Sequence, residues 1–171
     1  MKRVGVLLTV FLSTILFAQN SVSVVDATMG VGTDAVTIAI QLDNTDLVRG
    51  FQFDISSDPA LGDPTVSVGA DLPVGFTVIG MPLGDYLYGV MGYVMGQTDV
   101  PSGSNHIVDL TFSNLEEFAL GEYVLTFSDG TIADGAAESL ACEWYGGILT
   151  IVNTPPMANA GEDQDVTIAH D

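Results

Sequence analysis

Two stretches of the chain alternate between large apolar side chains and side chains that are small or polar. In 35–42 the apolar set is Val36, Ile38, Ile40 and Leu42. In 50–56 Phe51, Phe53 and Ile55 alternate with Gln52, Asp54 and Ser56. Because side chains two residues apart lie on the same face of a strand, each stretch predicts a strand with one apolar face and one wet face. Sheets of such strands stack by their apolar faces, so the alternation predicts an all-β, two-sheet β-sandwich.

Further short apolar stretches, separated by turn residues, bring the expected number of strands to about nine or ten. They are 21–25, 65–68, 74–79, 86–94, 107–112, 123–127 and 147–152, with Ile132 in a short strand or turn. Gly89 and Gly92 interrupt 86–94 and predict a bulge or kink there. The helix-like stretch 115–120 is too short for more than one or two turns.

The first 18 residues have the pattern of a secretory signal peptide. Lys2 and Arg3 precede a short apolar run, and Ala18 supplies a small residue at the cleavage position. The run is shorter than the roughly 20 residues that a membrane-spanning helix needs. We therefore predict a signal peptide at 1–18 and a protein that is secreted or held at the cell surface.

The charge of the chain is strongly one-sided. It has 22 acidic residues against 3 Lys or Arg, and after residues 1–18 Arg49 is the one Lys or Arg that remains. Such a surface repels nucleic acid and anionic membranes, so neither is an expected partner. The one cysteine, Cys142, has no second cysteine in the chain, so an internal disulfide is impossible and we expect a buried, inert thiol.

A boundary falls at residues 153–156, where two consecutive prolines make a stiff connector. The preceding part, 19–152, is long enough for one sandwich domain. The 15 residues after the connector are too few to bury a core of their own. We therefore predict one domain at 19–152, followed at 153–171 by a Pro-rich linker and a tail that is either disordered or the incomplete first strand of another module.

Several motifs of 21–152 resemble those of cohesin domains. The most recognisable runs from Asn44 through the strand 50–56 to the Asp58-Pro59 turn. The others are the opening 23–27 with the turn at 32–34 and the strand at 36–42, the hydrophobic-x-Leu-Thr-Phe strand at 107–112, the Gly-x-Tyr-x-Leu strand at 121–129, and the closing strand at 146–152.

The resemblance implies a nine-stranded sandwich of jelly-roll topology without a catalytic site, cofactor or metal of its own. Cohesins bind dockerin modules carried by polysaccharide-degrading enzymes, and the calcium of that pair belongs to the dockerin. Family contacts cluster on the strands that match 50–56 and 86–94, which implies a partner-binding set of Gly50, Gln52, Asp54, Tyr86 and Tyr88. Gly50 and Gln52 stand where the family often has Asn and Asp.

The segment 153–167 resembles the opening of a PKD-like domain, an immunoglobulin-like extracellular module. Its pattern is Pro-Pro-x-Ala-x-Ala-Gly-x-Asp-Gln-x-Val. This resemblance implies that the chain is the first part of a longer modular exported protein.

Two other functions remain open from the residues alone. Tyr86, Tyr88, Tyr93, Trp144 and Tyr145 could form a platform on which sugars stack, which would make a carbohydrate-binding module, or they could fill the core. A structural spacer in a modular surface adhesin is the other alternative. Three methionines near these tyrosines suit either an adaptable protein-binding surface or gaps in a core; they are Met81, Met91 and Met95.

Catalysis and metal binding find less support in the sequence. The chain has two histidines, His106 and His170, and no nucleophile-elbow motif. With 22 acids, some pair will have the spacing of a glycosidase by chance, so spacing decides nothing. The Gly-rich loop 129–135 departs from the calcium-loop pattern at Thr131 and Ala133, and its aspartates are expected to bond their own backbone.

Overall fold

A computed structural model describes residues 20–84 and 86–153 of the chain. Within them are twelve strands and no helix. The predicted signal peptide at 1–18 and nearly all of the predicted linker and PKD-like segment lie outside the described residues. The strands are β1 (Ser21–Val24), β2 (Ala27–Gly30), β3 (Val36–Asn44), β4 (Gly50–Asp58), β5 (Thr65–Val68), β6 (Phe76–Gly84), β7 (Leu87–Val94), β8 (Gly103–Phe112), β9 (Gly121–Ala133), β10 (Ser139–Leu140), β11 (Glu143–Tyr145) and β12 (Gly147–Val152).

The strands form two sheets, as predicted. The first sheet has the order β11-β1-β3-β8-β5, and the second has the order β2-β12-β9-β4-β7-β6, with β10 paired to β9. Most pairs are antiparallel, but β1 with β11 and β2 with β12 are parallel. Strands that are consecutive in the chain often lie in different sheets, as in a double-sheet jelly roll. The predicted all-β sandwich is confirmed, with more strands than expected because several are very short.

The core lies between the two sheets and consists of the alternating apolar residues. Ile38, Ile40 and Leu42 of β3 are at most 1% exposed, and Phe51, Phe53 and Ile55 of β4 are at most 3% exposed. The two stretches that carried the prediction therefore supply facing layers of one core. Burying such side chains is the main favourable term in the free energy of folding.

Two strands differ from the expected pattern. β9 runs to Ala133, so residues 129–133, expected to belong to a Gly-rich loop, are strand; the Trp144 indole lies against Gly130, where a Cβ would come within 2.4 Å of the ring. β7 pairs with β4 in continuous register, so the predicted bulge at Gly89 and Gly92 is wrong. Gly92 instead makes room for the Phe51 ring, which a Cβ would meet at 2.1 Å.

The stretch 115–120 forms a turn, closed by a hydrogen bond from the Phe118 N–H to the Leu115 carbonyl at 3.1 Å. The described residues contain no helix long and apolar enough to cross a membrane.

Truncation of a core side chain tests the packing of the two sheets. We expect Ile40→Ala to lower the free energy of unfolding by about 2–5 kcal/mol, because Ile40 is fully buried and its removal leaves a cavity. Urea unfolding followed by Trp144 fluorescence measures this. Ser67→Ala, on the exposed face of β5, is the control and should change little; equal midpoints for the two variants would contradict the packing described here.

Candidate functional site

The outer face of the second sheet carries three of the five residues implied by the resemblance. Gly50, Gln52 and Asp54 alternate with the buried residues of β4 and therefore point away from the core. In register they lie beside Tyr93, Met91 and Gly89 of β7 on one side. On the other side they lie beside Ala133, Thr131 and Asp129 of β9. We call the solvent side of β9, β4, β7 and β6 the outer face.

The other two implied residues are placed differently from each other. Tyr86 lies in the turn before β7 with a φ of 65° and is 70% exposed. Tyr88 is 9% exposed and points into the core, where burial raises the pKa of its hydroxyl. In β7 the even-numbered residues Tyr88 and Val90 face inward. The Tyr88 ring is thus not available to a partner at the surface, which corrects the expectation for that residue.

The outer face contains an exposed apolar cluster along β6 and β7. Its members are Ile79 (40% exposed), Met81 (49%), Leu83 (48%) and Met91 (39%). Together with Gln52, Asp54 and Gly89 they line an open groove of about 230 Å³, which we call the groove. A second depression of similar volume adjoins it over Gly50 and Tyr93 and shares Gln52 and Met91 with it. Sequence alternation did not reveal this cluster, because β6 carries apolar residues on both of its faces; the methionines at 81 and 91 were the available signal.

The end of the outer face near Gly50 is held by Arg49. Its guanidinium donates two hydrogen bonds to the Asp99 carboxylate, at 2.7 and 3.0 Å, and one to the Gly135 carbonyl at 3.2 Å. The hydrogen bond from Arg49 lowers the pKa of Asp99. Arg49 therefore joins the loop before β8 to the loop after β9.

The five aromatic residues considered for sugar stacking do not form one platform. Tyr88 is buried, and Trp144 packs against Phe53 and Phe127, with ring centroids 6.1 and 5.2 Å apart. Tyr86 is exposed in the turn before β7, while Tyr145 lies in the first sheet. The rings are thus spread over both sheets and the core.

The residues considered for catalysis and metal binding have structural partners. The His106 ring nitrogen Nε2 lies 2.9 Å from the Asp109 carboxylate. In the loop after β9, Asp134 accepts hydrogen bonds from the backbone N–H groups of Ala136 and Glu138, at 2.8 and 2.9 Å, and Asp129 accepts one from Gly130 at 2.8 Å. These aspartates bond their own backbone, as predicted. Among the described residues, no group of three or more His, Cys, Asp or Glu side chains is placed to hold a metal ion.

Comparison with solved structures identifies the fold. The chain is similar to the seventh ScaB type I cohesin from Pseudobacteroides cellulosolvens, with a TM-score of 0.68 and 16% identity, covering 84% of this chain and 98% of that one. A non-cellulosomal cohesin from the archaeon Archaeoglobus fulgidus gives a TM-score of 0.64 at 16% identity, covering 80% and 93%. The fold is cohesin-like.

A third similar structure contains a bound partner. It is the Coh-OlpA-Doc918 cohesin-dockerin complex from Clostridium thermocellum, with a TM-score of 0.66 and 13% identity over 78% of this chain and 99% of that one. No protein-family model and no curated protein sequence matches the chain. At these identities the likeness establishes the cohesin-like fold and nothing finer.

The ion pair at the end of the outer face gives stability a pH dependence. Because the pKa of Asp99 in the folded protein lies below its ordinary value of about 3.9, the carboxylate stabilises the fold above that pH, and this contribution is lost as the pH falls through the folded pKa. We expect Asp99→Asn to lower the urea midpoint at neutral pH, and the difference from the parent to shrink in acid. A difference that grows on acidification would contradict the assignment.

The thiol of Cys142 should react slowly. Cys142 is half-buried and not fully buried as expected; this partial burial raises its pKa to about 11, and its Sγ donates a hydrogen bond to the Glu143 carbonyl at 3.4 Å. The thiolate fraction is then roughly 100-fold below that of an ordinary thiol, partly offset because a more basic thiolate is more nucleophilic. We expect iodoacetamide to alkylate the folded protein at least roughly tenfold more slowly than the urea-unfolded protein. Equal rates would show that the pKa of Cys142 is ordinary.

Proposed function

We propose that the chain is a non-catalytic, exported docking module whose outer face binds a dockerin-type protein partner. The observation that carries the proposal is the exposed apolar cluster of Ile79, Met81, Leu83 and Met91 on one sheet face of a cohesin-like fold. Isolated exposed apolar side chains are ordinary, but a contiguous group on one sheet face is typical of an interaction surface.

The outer face has the features that protein interfaces use. Apolar side chains form the centre of such interfaces, while polar groups surround them and set specificity. Here Met81 and Met91 supply adaptable apolar contact, and Gln52, Asp54 and Thr131 supply polar groups beside them. The central strands β4 and β7 are paired on both sides, so little backbone ordering is needed there on binding, while β6 lies at the sheet edge and is paired with β7 alone.

Known dockerin complexes with this fold support a partner of that kind. The similar structures include cohesin complexes with dockerins from Acetivibrio cellulolyticus and Clostridium thermocellum. The predicted signal peptide at 1–18 and the excess of acidic residues fit a module that works outside the cell, in polysaccharide degradation or a surface assembly. The scattered aromatic rings do not favour the carbohydrate-binding alternative.

The test uses purified dockerin modules encoded in the genome of the source organism and isothermal titration calorimetry. We expect at least one to bind, and Met91→Glu to weaken that binding roughly 100-fold, since it places a charge in the apolar centre of the interface. Gln41→Glu, a similar change on the outer side of the first sheet, is the matched control and should leave affinity within about twofold.

Two outcomes would refute the proposal. In the first, none of the purified dockerins binds the folded parent protein. In the second, a dockerin binds but Met91→Glu and Gln41→Glu affect its affinity equally.

A further inference from the structure

We propose that the partner inserts one apolar side chain into the groove above Gly89 and places a Lys or Arg between Asp54 and Asp129. This inference rests on the proposed function and adds the chemistry of the contacting segment. It identifies the partner as a basic protein surface with an apolar anchor.

The groove exists because residue 89 is glycine. A Cβ at this position would lie 3.1 Å from Leu83 Cδ1 and 3.4 Å from the Asp54 Oδ1, so any side chain here would occupy the floor. The walls are the exposed side chains of Ile79, Met81 and Met91. A cavity of about 150 Å³ holds a benzene ring, so a groove of about 230 Å³ accommodates one large apolar side chain.

A pair of like charges lies at the edge of the groove. Asp54 of β4 is paired with Asp129 of β9 at the point where Ser128 forms a bulge in β9, and both aspartates point to the outer face. Like charges directly opposite one another on antiparallel strands are destabilising, with Cβ atoms about 4.5–5.5 Å apart. Within the described residues, the Asp54 carboxylate forms no ion pair or side-chain hydrogen bond. A cation between the two carboxylates would relieve this repulsion.

The described part of the chain cannot provide that cation. Its one Lys or Arg is Arg49, whose guanidinium is already bound to Asp99 and to the Gly135 carbonyl. A calcium ion needs six to eight oxygen ligands, roughly, and the metal-binding groupings that would supply them are absent from 20–84 and 86–153. Lys or Arg of a partner fits better, and Arg in particular donates to two carboxylates at once.

The overall charge favours the same class of partner. With 22 acidic residues against 3 Lys or Arg, the chain attracts a basic surface and repels an acidic one. Complementary charge around an apolar centre raises the association rate and excludes partners of the wrong sign. The apolar anchor supplies affinity, and the two carboxylates select the partner.

The experiment uses three synthetic helical peptides that differ at only two positions of one face, the apolar anchor and the charged residue. The first peptide has Leu and Arg at these positions, the second has Leu and Glu, and the third has Ser and Arg. We expect the Leu/Arg peptide to bind more tightly than either of the others, with amide chemical-shift changes at Gly89 and Met91. Binding should weaken as the salt concentration rises, because the charged contacts are screened. Equal binding of all three peptides, or shifts confined to the first sheet, would overturn the proposal.

Variants of the protein test the contribution of the two carboxylates and the contribution of the groove separately. The double variant Asp54→Asn/Asp129→Asn should weaken binding of the Leu/Arg peptide roughly tenfold or more. The control is Asp43→Asn/Glu116→Gln, which makes the same change of net charge at exposed sites elsewhere and should change the affinity for this peptide less than about twofold. Gly89→Ala should weaken binding by filling the groove floor. Equal effects of the two double variants would overturn the charge assignment.

Urea unfolding of the Asp54/Asp129 double variant shows whether a loss of binding comes from a loss of stability. The neutralised pair should unfold at the same or a higher urea concentration than the parent, because the variant loses a repulsion. A lower midpoint would show that the two carboxylates are not a repulsive pair and would overturn the argument.

The dockerin titration distinguishes this inference from the proposed function. If a dockerin binds the outer face with an affinity that the Asp54/Asp129 double variant does not alter, the contact chemistry is wrong while the docking function stands. If the Leu/Arg peptide behaves as expected and none of the dockerins binds, the contact chemistry stands and the partner belongs to another class of basic protein.

Discussion

The burial of alternate residues of β4 against the first sheet determines what the rest of the second sheet presents. Phe51, Phe53 and Ile55 occupy the core, so Gly50, Gln52 and Asp54 must face solvent. A shift of one residue would exchange the two sets and expose both phenylalanines. Since β7 pairs with β4 in continuous register, its outward residues follow from the same constraint, whereas in β9 a bulge at Ser128 changes the alternation and turns Asp129 and Thr131 outward. The outer face is therefore a consequence of core packing.

Two glycines of the same strand serve opposite faces of the sheet. Gly92 points inward and leaves space for the Phe51 ring, whereas Gly89 points outward and leaves the floor of the groove open. Residues three apart on a strand lie on opposite sides, so each glycine removes a side chain from a different environment. One contributes to the density of the core, and the other gives the surface its concave shape.

The sequence predicted the sandwich because strictly alternating strands such as β3 and β4 carry their own signal. It did not predict β2, β10 or β11, which have two to four residues and depend on pairing with distant strands. On the candidate site, the outward position of Gln52 and Asp54 followed from alternation. The separation of an exposed Tyr86 from a buried Tyr88 did not, because Tyr86 has a positive φ and lies in the turn before β7, outside the alternation of the strand. The groove could not be predicted from the sequence either, because side chains of two different strands, β6 and β7, line it together.

Acidity determines what can cover an exposed apolar surface of this kind. An uncharged protein with Ile79, Met81, Leu83 and Met91 on one flat sheet could pair with a second copy of itself through that sheet. In a symmetric pair the same patch meets itself, which would bring Asp54 and Asp129 close to their own copies. The long-range repulsion between two strongly acidic chains acts in the same direction. Negative charge thus opposes self-association at the apolar face and leaves that face open to a partner of opposite charge. The apolar side chains and the acidic residues together therefore determine which protein can bind there.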